Sequence, residues 1–195
     1  SRSPDIHHAF ARAAGIDLQY EKVEAPLEGF AKTVAHLRGE GFRGANVTVP
    51  FKVEAFRLAT VRSTQAEAAE SVNTLTFTPS GSIQGDTTDG FGLVRDIEVR
   101  YGIPLRDKRI LVVGAGGAAR GVVGNLLLAE PRHLAIANRT LARALDIVQL
   151  FADAAPVAAL TLGELAQHQF DVVINATSAS LTDALPLVPR SVFSK

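Results

Sequence analysis

Lys52, which follows the polar residues Asn46 and Thr48 of a predicted strand, is a side chain of this sequence that could do acid–base chemistry. Lys52 stands at the beginning of a predicted helix, where the positive end of the helix dipole disfavours the charged ammonium. A lysine in that setting suits proton transfer near neutral pH. From spacing alone, a solvated surface lysine is the favoured interpretation of Lys52, and Asp89 and Asn73 could be no more than an N-cap and a turn residue.

A glycine-rich turn is the second chemical feature, and it fits the pattern G-x-G-x-x-A. It follows the apolar run Arg109–Val113, typical of a strand buried on both faces of a parallel sheet, and it opens a predicted helix. In that context the glycines let the backbone approach a dinucleotide pyrophosphate, and the N–H groups of the helix start bind it. A turn that binds nothing is disfavoured by the surrounding β-α-β pattern. The turn residues predicted to bind the cofactor are Gly114, Ala115, Gly116, Gly117 and Ala118, with Ala119 packing helix against strand.

The end of the next predicted strand indicates which dinucleotide is bound. NAD enzymes typically carry Asp or Glu there, hydrogen-bonded to the ribose. This strand ends in Asn138-Arg139-Thr140, with no acid. Arg139 can pair with a 2′-phosphate, and Arg143 lies one helical turn further on. Because cations at a helix start oppose the dipole unless they meet an anion, the pattern favours NADP.

The predicted elements change in kind near residue 102. Before it we expect helices over 3–14 (with Ser3 as N-cap), 30–37, 51–59 and 91–101, an extended piece over 19–23, a strand over 44–50 and a hairpin over 72–84. After it, strands at 109–113, 134–137, near 157 and 172–176 alternate with helices at 118–128, 141–151 and 162–167. The prediction is an α/β protein: an N-terminal α/β substrate domain (1–102), then a Rossmann-type, doubly wound NADP-binding domain (103–195).

Composition excludes several classes of function. Of 195 residues, 47% are hydrophobic and 21% charged, with a formal net charge of +0, which fits a globular protein without a nucleic-acid surface. No apolar run approaches the roughly 20 residues of a membrane helix. Cysteine is absent, so disulfides and thiolate metal sites are excluded, and a cytoplasmic location is expected. The five histidines form no pair at i, i+4, so no metal site is predicted.

Six motifs occur in this order along the chain: Asn46–Lys52, Val72–Leu75, Gly85–Gly90, Gly114–Ala118, Asn138–Thr140 and Asn175–Ser178. Together they resemble the motifs of the shikimate dehydrogenase family over essentially the whole chain. N-V-T-V-P-F-K and G-D-x-T-D-G are the most specific of them. The sequence departs from the family at Thr87, where Asn is usual, and at Arg2, where Lys is common.

The resemblance implies reversible reduction of 3-dehydroshikimate to shikimate with NADPH, in aromatic amino acid biosynthesis, in a cleft between two domains. By motif match Lys52 and Asp89 would be the catalytic pair, and Asn138, Thr140 and Thr177 would join the cofactor site. The residues that would hold the substrate are Ser1, Ser3, Asn46, Thr48 and Asn73. The resemblance also implies a first strand before Ser1 and a C-terminal segment after Lys195. A monomer or homodimer is expected.

Three alternatives remain open. A quinate or quinate/shikimate dehydrogenase shares the Lys–Asp pair but often uses NAD and tends to carry an acid near the end of the second strand. A non-catalytic NADP-binding sensor would be expected to lack the lysine or the aspartate. A different two-domain dehydrogenase would have no reason to carry N-V-T-V-P-F-K.

Overall fold

The computed structural model describes residues 2–153, 155–177 and 188–193, and it contains two four-stranded sheets that follow each other along the chain. The first sheet is mixed, with strand order β1-β3-β4-β2: β1 and β4 pair antiparallel with β3, and β2 pairs parallel with β4. Its strands are β1 Gly44–Asn46, β2 Val61–Arg62, β3 Thr74–Phe77 and β4 Ile83–Asp86. The helices of this half are α1 Ser3–Ala14, α2 Phe30–Gly39, α3 Lys52–Leu58 and α4 Thr64–Ala69.

The first half confirms the predicted hairpin and helices but differs at several boundaries. The predicted strand 44–50 ends at Asn46, because the backbone turns where the Phe51 N–H donates to the Thr48 carbonyl, and Val49 is exposed. The N-cap of α1 is Arg2 and not Ser3, and it makes no side-chain cap bond. The piece over 19–23 pairs with no strand in the described residues.

Two short elements were not predicted, β2 and α4. The strand β2 has only two residues, too few for an alternation to register. The helix α4 has six, and its one local signal is Ser63, whose hydroxyl accepts a hydrogen bond from the Ala66 N–H at 3.1 Å.

The helix predicted over 91–101 begins two residues earlier and ends differently. Its α-helical part, α5, spans Asp89–Arg95, and a π-helical turn follows at Asp96–Arg100. The N-cap of α5 is Thr88, so Asp89 is the first helical residue and its carboxylate does not cap the helix.

The second sheet is entirely parallel, with strand order β7-β6-β5-β8, which confirms the doubly wound prediction. The apolar run of β5 lies in the middle of the sheet, and Ile110, Leu111 and Val112 are fully buried. The helix predicted over 162–167 is a 3₁₀ turn at Glu164–Gln167. The strands and helices are β5 Arg109–Val113, α6 Gly117–Leu128, β6 His133–Asn138, α7 Leu141–Leu150, β7 Val157–Thr161 and β8 Val172–Asn175.

Each sheet has its own hydrophobic core. The core of the first sheet includes Phe30, Val72 and Leu75. One core of the second sheet includes Val123 and Ile136, and Leu93, Val94 and Ile97 pack against it from before residue 102. By packing, α5 thus belongs to the second sheet, although it precedes residue 102. The domain boundary near residue 102 stays a prediction. In the part of the chain that is described, no helix has the length and apolar character needed to cross a membrane.

Acid is expected to destabilise the fold through His133, at the start of β6. Burial, and secondarily the nearby His168, lower the pKa of His133. The unfolded chain then binds a proton at higher pH than the folded protein does, so stability is complete above the ordinary value of about 6.5 and falls as pH drops through it. Urea titrations between about pH 7.5 and 5.5 measure this loss. In His133→Gln the loss should shrink, while His36→Gln should leave it unchanged; an equal loss in both variants would contradict the assignment.

Candidate active site

Lys52 and Asp89 meet between the two halves of the chain. Each is the first residue of a helix, Lys52 of α3 and Asp89 of α5. The Lys52 Nζ donates to Oδ2 of Asp89, and Lys52 is only 8% exposed. A buried ammonium needs a charged or polar partner, and the carboxylate supplies one. The interpretation of Lys52 as a solvated surface lysine is therefore wrong, and so is that of Asp89 as an N-cap.

Asn73 holds the other oxygen of Asp89. Its Nδ2 donates to Asp89 Oδ1 at 2.8 Å, and its Oδ1 accepts a hydrogen bond from the Thr88 N–H at 3.1 Å. Since both ends of the amide are bonded, its orientation is fixed. Asp89 thus has one oxygen held by an amide and the other directed at an ammonium, an arrangement suited to sharing a proton with Lys52.

A chain of polar side chains leads from Asn73 to the edge of the first sheet. The Thr74 hydroxyl donates to Asn73 Oδ1 at 2.9 Å, and Asn46 Nδ2 donates to Thr74 Oγ1 at 3.3 Å. The Tyr20 hydroxyl donates to Asn46 Oδ1 at 2.9 Å. Burial raises the pKa of Tyr20, and a side-chain hydrogen bond with Ser3 partly offsets this effect. Hydroxyls and amides in such a row suit a ligand rich in hydroxyl groups.

The five predicted substrate residues differ in how closely they are connected to the Lys52–Asp89 pair. Asn73 touches the Lys52–Asp89 pair, Asn46 joins it through Thr74, and Ser3 joins Asn46 through Tyr20. Thr48 is exposed in the turn before α3, and Ser1 lies outside the described residues. Three members of the network were not predicted as site residues: Tyr20, Thr74 and Thr88. Thr74 and Thr88 stand in motifs that were recognised, whereas no local pattern pointed to Tyr20.

The glycine-rich turn has the geometry of a phosphate cradle. Gly114 has φ +111°, and a Cβ there would come within 3.0 Å of the Ala176 carbonyl group. Gly116 is exposed, with no atom within 4 Å of an added Cβ, and it caps α6 without a side-chain bond. Open space in front of free helix N–H groups fits the pyrophosphate of a dinucleotide. Ala115 and Ala118 are half-buried beside it.

The remaining predicted cofactor residues lie at the same edge of the sheet, since parallel strands end together. The Gly114 N–H donates to the Ala137 carbonyl at 2.8 Å, so the turn lies beside the end of β6. Within the described ranges, Arg139 and Arg143 form no ion pair and both are exposed, as a phosphate-binding role requires. Asn138 Nδ2 donates to the carbonyl of the exposed Thr140 at 2.9 Å. After β8, the Thr177 hydroxyl donates to Asn175 Oδ1 at 2.7 Å.

Gly117 joins the turn to the lysine. A Cβ on Gly117 would lie 2.8 Å from the Cβ of Lys52, closer than side-chain carbons approach each other. Only glycine therefore lets the first turn of α6 reach the helix that carries Lys52. The glycine-rich turn is therefore in direct contact with Lys52.

Thr87 is a buried residue of the site whose hydroxyl has no partner among the described residues. It is 5% exposed, and its Oγ1 lies 3.0 Å from the point where a Cβ on Gly121 would be. We expect Thr87→Val to raise the free energy of unfolding by about 1 kcal/mol, because an unpaired buried hydroxyl is costly and valine has the same shape. Thr60→Val is the control and should lower it by about 1 kcal/mol, since Thr60 Oγ1 accepts from the Ile83 N–H at 2.9 Å. Urea denaturation of both variants measures the difference; a loss of stability in Thr87→Val would contradict the interpretation.

The described residues hold no group of three or more His, Cys, Asp or Glu side chains that could bind a metal ion.

Two family models match the chain. One, described as the shikimate dehydrogenase substrate binding domain, matches residues 1–75, and the other, described as shikimate / quinate 5-dehydrogenase, matches residues 98–184. A curated shikimate dehydrogenase (NADP(+)) from Nitrosospira multiformis is 52% identical over 100% of this chain and 70% of its own length. One from Dechloromonas aromatica is also 52% identical, with the same coverage.

Solved structures agree with these matches. The Ael1 enzyme from Pseudomonas putida superposes with a TM-score of 0.86 at 44% identity, covering 98% of this chain and 70% of its own. Shikimate 5-dehydrogenase from Thermus thermophilus, solved in complex with NADP(H) and shikimate, gives a TM-score of 0.82 at 31% identity, covering 99% and 70%. This chain thus spans about 70% of the length of these relatives.

Proposed function

Because the chain belongs to the shikimate dehydrogenase family, we propose that Lys52 and Asp89 are the acid–base pair with which it reduces 3-dehydroshikimate to shikimate, with NADPH as cofactor. The proposal is carried by one observation: the part-buried Lys52–Asp89 pair lies directly against the first turn of α6. A proton donor and a dinucleotide cradle are the two parts that reduction of a ketone requires.

Reduction builds negative charge on the ketone oxygen, and a proton must reach that oxygen. NADPH, when bound, supplies the hydride to the carbonyl carbon. Lys52 donates the proton in reduction and accepts the hydroxyl proton in the reverse direction, with Asp89 sharing it. Asn73 keeps Asp89 aligned by holding Oδ1, so that Oδ2 stays directed at Lys52.

The substrate lies along the polar row between Lys52 and the edge of the first sheet in this proposal. Asn73 and Asn46, with Thr48 and the two serines Ser1 and Ser3, bind its hydroxyls and carboxylate. A polar site discriminates strongly against ligands that leave its groups unpaired. The division near residue 102 into a substrate domain and a cofactor domain is part of the same proposal. A cytoplasmic location and a monomer or homodimer remain predictions of the sequence.

The cofactor is held at the carboxyl edge of the second sheet. Gly114–Ala118 would hold the pyrophosphate, and Arg139 and Arg143, with Asn138 and Thr140, would hold the 2′-phosphate. Thr177 closes the cradle from the end of β8. Together these residues would bind and orient the cofactor.

Arg139→Ala should weaken the binding of NADPH much more than that of NADH. The guanidinium bonds a phosphate that NAD lacks, and a charge-assisted pair is worth roughly 10-fold to 100-fold in affinity. We therefore expect the Kd for NADPH, followed by the fluorescence of the bound nicotinamide, to rise by about that factor while the Kd for NADH changes less than twofold. Arg132→Ala, an exposed arginine at the opposite end of β6, is the control. Equal weakening of both cofactors would contradict the assignment.

The function itself is tested by absorbance of the reduced nicotinamide with shikimate or quinate, each against NADP and NAD. Fast reduction with shikimate and NADP alone is the expected result. Comparable rates with quinate or NAD would favour the broader-specificity alternative. No turnover in any pairing, with NADPH still bound, would overturn the proposal in favour of a sensor.

A further inference from the structure

Glu70–Asn73 are four consecutive residues that each form a hydrogen bond or ion pair with α6, Lys52 or Asp89, and we call them the linking segment. Glu70 pairs with Arg120 of α6, with Oε2 and Nη1 3.2 Å apart. Ser71 donates to the carbonyl of Gly117, also on α6, at 2.9 Å. The next residue, Val72, donates its N–H to the Lys52 carbonyl at 2.9 Å. Asn73 then holds Asp89. One short stretch thus connects the cofactor turn with both members of the acid–base pair.

The backbone of Glu70 is strained where this segment begins. Glu70 has φ +45° and ends α4 in the left-handed region, where glycine is the usual residue. An observed backbone outlier of this kind is a reason to look for a function of its side chain. A glycine would relieve the strain but would lose the carboxylate that meets Arg120. The Arg120 side chain is 17% exposed and that of Glu70 is 48% exposed, so the ion pair lies at the rim of the contact between α4 and α6.

Ser71 adds a second contact one residue later. It is fully buried, and its hydroxyl reaches a carbonyl in the first turn of α6. That same turn approaches Lys52 at Gly117, where an added Cβ would lie 3.5 Å from Ser71 Oγ and 2.8 Å from Lys52 Cβ. The Ser71 hydroxyl therefore bonds the same turn of α6 that contacts Lys52.

We propose that Glu70 and Ser71 are positioning residues that fix the first turn of α6 relative to Lys52. They touch neither the reacting atoms nor the substrate, and they act through Gly117 and Arg120. Reacting groups misplaced by about 1 Å lose on the order of 100-fold in rate. A cofactor held on a loosely placed α6 would meet the substrate in poor alignment, with its own affinity nearly unchanged. This inference rests on the proposed function.

The test compares Ser71→Ala and Glu70→Gly with a matched control, Glu130→Gly. Glu130 also has a left-handed backbone, with φ +53°, and also pairs with an arginine, Arg106, but it lies beyond the far end of α6. Four quantities are measured on each variant: Tm, the Kd for NADPH, kcat with shikimate and NADP, and amide hydrogen exchange of residues 118–122. The exchange measurement needs neither cofactor nor turnover.

We expect kcat to fall by about 10-fold in Ser71→Ala and by about 3-fold in Glu70→Gly, with each KM and Kd within twofold. Exchange of residues 118–122 should accelerate in both. The Tm of Glu70→Gly should not fall, because glycine suits the left-handed position. Glu130→Gly should keep kcat and exchange at the wild-type level.

Unchanged kcat and exchange in both variants would overturn the proposal, as would equal losses in Glu70→Gly and Glu130→Gly. A Ser71→Ala enzyme whose lost activity is fully explained by a lower folded fraction would also overturn it. Failure of the proposed function is distinct: the wild-type protein would itself show no turnover with shikimate and NADP, and the inference would fall with it.

Discussion

Replacing Lys52 with alanine is expected to lower kcat about 10³-fold while leaving the Kd for NADPH within twofold. The ammonium is nearly buried and bonded to Asp89, so its loss removes the proton donor and leaves the carboxylate facing a cavity. We expect the cofactor turn to keep its backbone, because the Lys52 atom nearest to the added Cβ position on Gly117 is Cβ, which alanine retains. Turnover with shikimate and NADP, together with NADPH fluorescence, measures the two quantities separately.

Lys32→Ala, an exposed lysine on α2, is the control and should keep full activity. Retention of more than a tenth of the wild-type kcat in Lys52→Ala would remove the lysine from the mechanism. A large loss of NADPH affinity would instead indicate that the substitution disturbs the first turn of α6.

Gly117→Ala and Gly116→Ala are adjacent changes with different expected effects. Gly117→Ala should lower stability and kcat, whereas Gly116→Ala should weaken the binding of NADPH. A methyl group on Gly117 would lie 2.8 Å from Lys52 Cβ, so α3 and α6 must separate. We expect a loss of about 1–3 kcal/mol in stability, as in other overpacked sites, and at least a 10-fold fall in kcat. A methyl on Gly116 meets no protein atom, so stability should be unchanged. It occupies the predicted path of the pyrophosphate, so the Kd for NADPH should rise by at least about 10-fold.

Thermal unfolding and NADPH titration of the two variants test whether stability falls only in Gly117→Ala and whether NADPH binding weakens in Gly116→Ala. If Gly116→Ala binds NADPH as the wild type does, the cradle has been placed at the wrong turn. If Gly117→Ala is as stable and active as the wild type, the close contact between α3 and α6 is not needed for turnover.

The second half of the fold followed the sequence closely, because a strand buried on both faces leaves a continuous apolar run. β5 was predicted with the bounds that it has, and its neighbours agree within a few residues. The first half was harder, since its strands are two to four residues long and their pairing depends on contacts distant in sequence. The strand predicted over 44–50 is an example, since only Gly44–Asn46 form a strand.

The candidate site divides in the same way. Local spacing identified the glycine turn and Arg139, whose roles depend on one strand–helix junction. The roles proposed for Lys52 and Asp89 came from motif resemblance, because 37 positions separate the two residues and spacing alone favoured a surface lysine at Lys52. Tyr20 and Ser71 carried no signal at all, since each acts through a partner supplied by tertiary packing.

A double-mutant cycle on Lys52→Ala and Asp89→Asn tests most directly whether the pair acts as one unit. The kcat of each single variant and of the double variant is measured with shikimate and NADP, and NADPH binding confirms that all three are folded. If Lys52 and Asp89 share one proton, the double variant should lose about as much activity as Lys52→Ala alone, as residues that act together do. Losses that multiply would show that the two side chains act independently, and the proposed acid–base pair would be wrong.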